Sequence, residues 1–152
     1  MGLEGGPGAG ARGEAGCPSG SGAKEGRMAT RTLKETAIDF LTRVVAGDVR
    51  GAYERHVGDG FRHHNPYFAG DSDSLRRGME EDEARNPGKR LDVQQALQDG
   101  DHVAVHSRLR RSAGEPDIAV VHIFRFEQGR IAELWDIAQV APKQIVNENG
   151  MF

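Results

Sequence analysis

Residues 118–139, IAVVHIFRFEQGRIAELWDIAQ, limit what this chain can fold into more than any other stretch. Two runs rich in β-branched and aromatic residues flank Glu127-Gln128-Gly129, a pattern that reads as a β-hairpin. One histidine, His122, and one aspartate, Asp136, interrupt the apolar runs. The loop length decides where they point. A two-residue Gln128-Gly129 turn sets Glu127 against Arg130 and puts His122 and Asp136 on opposite faces. A three-residue loop with Gly129 in the left-handed conformation sets Phe126 against Arg130, leaving His122 opposite Leu134 and diagonal to Asp136 on one face. The second is favoured, because a two-residue turn prefers Asn or Asp where Gln128 stands. On that register one face carries Val120, His122, Phe124, Phe126, Ala132, Leu134, Asp136 and Ala138. The other presents Val121, Ile123, Ile131, Trp135 and Ile137, too apolar a set to leave in water, which predicts self-association through the sheet.

The segments before the hairpin supply helices and two more strands. Thr32-Leu33-Lys34-Glu35 is a capping-box pattern, and Leu33, Ala37, Phe40, Leu41, Val44 and Val45 recur at helical spacing up to Gly47. Asp48 caps a short second helix with Val49, Ala52, Tyr53 and Val57 on its inner face. FRHHNP, residues 61–66, ends at a proline and reads as a short edge strand or extended loop. A third helix starts around Asp71 to Ser74 and stops before Pro87-Gly88. Residues 91–97 and 103–109 alternate as strands about a turn at Asp99-Gly100 or Gly100-Asp101. Helices followed by a four-stranded meander predict an α+β fold, with the helices packed on one face of a curved antiparallel sheet.

Composition sets the outer bounds. A chain of 152 residues that is 37% hydrophobic has room for one domain, here residues 28–152. Residues 1–27 hold ten of the 21 glycines and almost no large apolar side chain, so they are expected to be a disordered tail, with Met28 as an alternative start. A net charge of -3 without a basic run argues against nucleic acid or an anionic membrane as partner. Cys17 is alone, so no internal disulfide or cysteine zinc site is available, and a reducing cytoplasm is the expected setting. Neither a membrane span nor a signal peptide is legible.

Histidine carries most of the chemical signal, with six in the chain. His56 and His102 read as helix-end and turn residues. His122 is different, because burying it in an apolar run costs several kcal/mol unless its nitrogens are paired. Asp136 poses the same problem, and the hairpin offers each as the other's partner. Such a pair can be architectural, but beside a cavity a carboxylate is tuned toward proton abstraction and the histidine stabilises or delivers the charge. His63, His64 and Asn65 form a second cluster, of which His64 and Asn65 are candidate donors to a substrate oxyanion. His106, Tyr53, Phe124 and Leu134 are candidate wall residues. There is no H-x-H or HExxH spacing, and no metal site is assigned.

FRHHNP after two short helices, GDHVAVHSR in mid-chain and HIFRFEQGRIAELWDIAQ near the end together resemble the SnoaL-like polyketide cyclase family, within the superfamily of nuclear transport factor two and ketosteroid isomerase. The likeness spans residues 32–142. R-I-A-E-L-W-D matches the family's G-K-I-V-E-H-W-D, with Leu134 where a histidine is common. Resemblance implies a curved sheet wrapped by about three N-terminal helices into a cone open to an apolar pocket, often dimeric or tetrameric. It also implies a strand aspartate as general base, assisted by a histidine fourteen residues earlier, the spacing of His122 and Asp136. The expectation is a cytoplasmic homodimer or tetramer performing cofactor-free acid/base chemistry on a small apolar carbonyl compound, by aldol closure or isomerisation. Epoxide hydrolysis or dehydration is a weaker candidate. The rival is a non-catalytic ligand-binding or oligomerisation module of the same fold.

Overall fold

The computed structural model describes residues 30–152, so the expected disordered tail over 1–27 lies outside the described residues. Its helices start where side chains satisfy free backbone N–H groups. The Thr32 hydroxyl accepts from the Glu35 N–H at 3.2 Å and the Glu35 carboxylate accepts from the Thr32 N–H at 2.8 Å, opening α1 (Leu33–Val45). Asp48 accepts from the Gly51 N–H at 3.1 Å to open α2 (Val49–His56), and Asp71 accepts from Ser74 to open α3 (Ser72–Arg85). Gly47, with φ 89, supplies the left-handed residue that lets α1 end and the chain reverse. α1 buries Ala37, Phe40 and Leu41, whereas α3 buries only Leu75. The space beneath α3 is where a hollow remains.

Five strands make one sheet: β1 (Val57–His63), β2 (Arg90–Asp99), β3 (His102–Arg110), β4 (Ile118–Glu127) and β5 (Arg130–Val140), in the order β1-β5-β4-β3-β2. β2 to β5 form the expected antiparallel meander. The sheet is nevertheless mixed, because β1 adds to the β5 edge in parallel. β1 also starts at Val57, which the sequence assigned to the inner face of the second helix. Gly58-Asp59-Gly60 breaks the alternation that would announce a strand, and the register slips there between Val57 and Arg62. The concave face packs on α1, with the Phe40 ring 5.6 Å from Tyr53 and edge-on to Phe124 at 5.8 Å.

The β4–β5 turn departs from expectation twice. Gln128 and Gly129 form a two-residue turn with φ of 50 and 76, so Glu127 faces Arg130 and the three-residue loop is not used. Phe126 then pairs with Ile131 but Arg125 pairs with Glu133, leaving Ala132 as an extra residue in β5. That bulge shifts the register by one residue and returns His122 and Asp136 to one face, directly opposite each other rather than diagonal. The two-residue turn, by pairing Ile131 with Phe126, also turns Ile131 into the core at 0% exposure, where the outer face was expected.

Candidate functional site

His122 on β4 and Asp136 on β5 stand side by side on the concave wall. They border a cavity of about 220 Å³ whose apolar lining comes from Leu41 and Val44 of α1, Met79 of α3, Leu91 of β2 and Val120 of β4. A more open hollow of about 400 Å³ adjoins it, lined by Asn65, Phe68, Leu75 and Met79, and Asp136 belongs to the walls of both.

The expected hydrogen bond between His122 and Asp136 is not made. Residues directly opposite on adjacent strands project in parallel, and the bond to the carboxylate comes instead from the segment after β1. Asn65 Nδ2 donates to Asp136 Oδ2 at 2.7 Å, and its Oδ1 accepts from the Tyr67 N–H at 3.0 Å, which fixes the amide's orientation. His122 Nδ1 is buried with no partner. Burial pushes the His122 imidazole down to about 4, with the Asp136 charge working against it, so the ring is neutral at physiological pH.

His63, to which no role was given, is 5% exposed between Phe61 and Phe68. Its Nδ1 accepts from the Asn65 N–H at 3.2 Å, which leaves the proton on Nε2, an atom buried with no partner. Burial lowers its pKa, and the charges of Asp136 and Asp71 oppose that. The alternation that turns His63 inward turns His64 outward, so His64 does not reach the cavity. It lies 2.7 Å from Glu133 Oε1 and stacks on Trp135 at 4.8 Å, on the convex face. His106 is displaced for the same reason, opposite Val121 and stacked on Phe152 at 6.5 Å. Tyr53 is core, its hydroxyl 3.7 Å from Met79 Sδ. It borders a separate depression beside Arg50 and Arg76. Phe124 and Leu134 pair as buried floor residues beneath the site rather than cavity wall. The structure therefore brings Asp136, His122 and Asn65 together. It adds His63 behind them and leaves His64 and His106 outside.

Among the described residues no three His, Cys, Asp or Glu side chains converge as a metal site, and no helix is long and apolar enough to cross a membrane.

An α+β cone with a polar cluster on its concave wall defines the class of protein. Residues 37–134 match the family model of the SnoaL-like domain, and the chain belongs to that family. No curated protein matches the sequence. Among solved structures it is similar to AclR of Streptomyces galilaeus, a candidate hydroxylase, with 18% identity over 70% of this chain and 88% of that one and a TM-score of 0.62. A SnoaL-like polyketide cyclase from Agrobacterium tumefaciens shares 16% identity over 72% and 93% of the two chains, with a TM-score of 0.60. IdmH, a candidate polyketide cyclase from Streptomyces antibioticus, shares 22% over 71% and 92%, with a TM-score of 0.58. At these identities the likeness is one of fold.

Proposed function

We propose that this protein carries out cofactor-independent acid/base chemistry on a small apolar carbonyl compound enclosed by the cone, in the manner of the cyclases it resembles. The observation that carries the reading is a carboxylate on a largely apolar cavity wall, oriented by Asn65 through one oxygen and flanked by a neutral imidazole. Asp136 takes a proton from the carbon next to the substrate carbonyl, leaving an enolate. The His122 N–H donates to the developing enolate oxygen; being neutral it does so without surrendering a full proton. The enolate carbon then attacks a second carbonyl of the same molecule, forming the new C–C bond, and the resulting alkoxide takes back the proton held by Asp136. Reprotonation at another carbon instead gives isomerisation. Asn65 holds the carboxylate; His64 has no part in this scheme.

Mass spectrometry of small molecules retained through gentle purification should find a compound with an enolisable carbonyl, and Asp136→Asn should slow its turnover by about 10² to 10⁴. A retained compound without a carbonyl, or undiminished turnover by the Asn variant, overturns the reading. A merely binding pocket would hold its ligand equally well with Asn at 136.

We also propose that the chain assembles as a homodimer or tetramer through the convex face, where Ile137 is 62% exposed beside Val121. Sedimentation at tens of micromolar should find at least a dimer, and a monomer there contradicts it.

A further inference from the structure

Arg111 follows β3 directly, and the alternation that turns Val105 and Ser107 into the concave side carries it there too. Like Asp136 it lines both the cavity and the adjoining hollow. It differs from the other cations at these walls. Lys89, with its side chain 6% exposed, is held by Asp82 and by Glu83 at 3.4 Å. Arg85 is paired with Glu81 at 2.9 Å. Arg111 makes no ion pair or hydrogen bond among the described residues, and its Nε is buried with no partner. Asp82 feels its charge, but that carboxylate is already committed to Lys89 and to Asn86 at 2.9 Å. The Arg111 side chain is half-buried, and its unsatisfied Nε–H points to an acceptor that the chain itself does not supply.

We propose that Arg111 is a specificity-determining residue that binds a carboxylate of the substrate, so that the compound taken by this site is a keto acid. The guanidinium's planar fork matches a carboxylate through two parallel N–H···O bonds. One unpaired cation balances one negative charge. A phosphate dianion would set a second charge against Asp136 and Asp82 on the same walls. With the carboxylate on Arg111, the apolar body among Leu41, Val44 and Val120, and Lys89 paired with Asp82, the polar groups left for the ketone are His122 and Asp136. The placement of the ketone rests on the acid/base reading above; the carboxylate preference does not.

The test is binding of a matched pair of probes, 2-naphthoate and 2-naphthamide, to the full chain, followed by fluorescence in wild type, Arg111→Gln and Asp136→Asn. Wild type should prefer the carboxylate by about tenfold or more. Arg111→Gln should lose that preference and keep its affinity for the amide, while Asp136→Asn should keep the preference. Equal affinity of the wild type for both probes, no binding of either at millimolar concentration, or a preference that survives Arg111→Gln overturns the proposal. The two readings fail separately. Loss of turnover in Asp136→Asn with the preference intact supports both, and absence of the preference leaves the proton abstraction to be judged on its own assay.

Discussion

Two carboxylates three residues apart on β5 meet opposite fates. Glu133, on the convex side, is 5% exposed and accepts from Arg62 at 2.7 and 3.0 Å, from Arg125 at 2.9 Å and lies 2.7 Å from His64 Nε2. The Arg62 hydrogen bonds, with those of His64 and Arg125 and against its burial, hold it down at about 2. Asp136, on the concave side, receives one hydrogen bond, from Asn65, and its cross-strand neighbour His122 keeps a buried nitrogen without a partner. The first cluster ties β1 and β4 to β5 and has every strong site filled. The second leaves polar atoms facing space that a small molecule can occupy. A saturated network holds a fold together, whereas an unsaturated one on a cavity wall keeps its capacity for a substrate.

Removing each carboxylate in turn should have unequal effects on stability. Glu133→Ala strands two guanidinium groups that have no other strong acceptor close by, apart from Glu127 beside Arg125. The stability should fall measurably, by more than in Asp136→Asn, although Arg62 is largely exposed and Arg125 keeps Glu127. Asp136→Asn should move stability by less than about 0.5 kcal/mol, since an amide can still accept from Asn65. Urea unfolding of both variants checks this, and an equal loss in the two would erase the distinction.

His122 and Glu133 contribute to stability over different pH windows. The folded His122 pKa lies below its unfolded value of about 6.5, so the unfolded chain binds the extra proton. The stability due to a neutral His122 is therefore fully present above pH 6.5 and is lost as pH falls toward 4. Burial of His56 and His63 adds in the same direction. Glu133, depressed to about 2, keeps its contribution until pH drops below its unfolded value and loses it only as pH approaches 2. Between pH 7 and 4.5, His122→Gln should lose about 2 kcal/mol less stability than the wild type. Parallel curves would show that the buried imidazole does not carry the effect.

What the sequence discloses follows from the range of the interaction. The three capped helix starts are written within four residues each, at Thr32, Asp48 and Asp71, and all are legible. So are the hairpin and the shared facing of His122 and Asp136, though for the wrong local reason. The expected three-residue loop and the observed two-residue turn with a bulge at Ala132 give the same parity at those two residues and opposite parity at Ile131. Which of His63 and His64 turns inward depends on the parallel pairing of β1 with β5, a contact across some seventy residues that no local pattern announces. The same holds for His106, whose facing is set by its pairing with Val121. Arg111 lies one residue past the end of β3, where sequence alternation is hardest to extend. Asn65 shares the parity of His63, and that two-residue spacing was the available signal.

If Asp136 removes a proton from carbon, hydrogen–deuterium exchange at an α-carbon measures that step without requiring the full reaction. With 2-tetralone in buffered D₂O, wild-type protein should speed α-deuteration followed by NMR. Asp136→Asn should reduce that acceleration by roughly 10² to 10⁴, equivalent to about 3 to 5 kcal/mol of barrier, while Glu133→Gln leaves it unchanged per folded molecule. Exchange in the presence of wild type no faster than with Asp136→Asn would contradict the account.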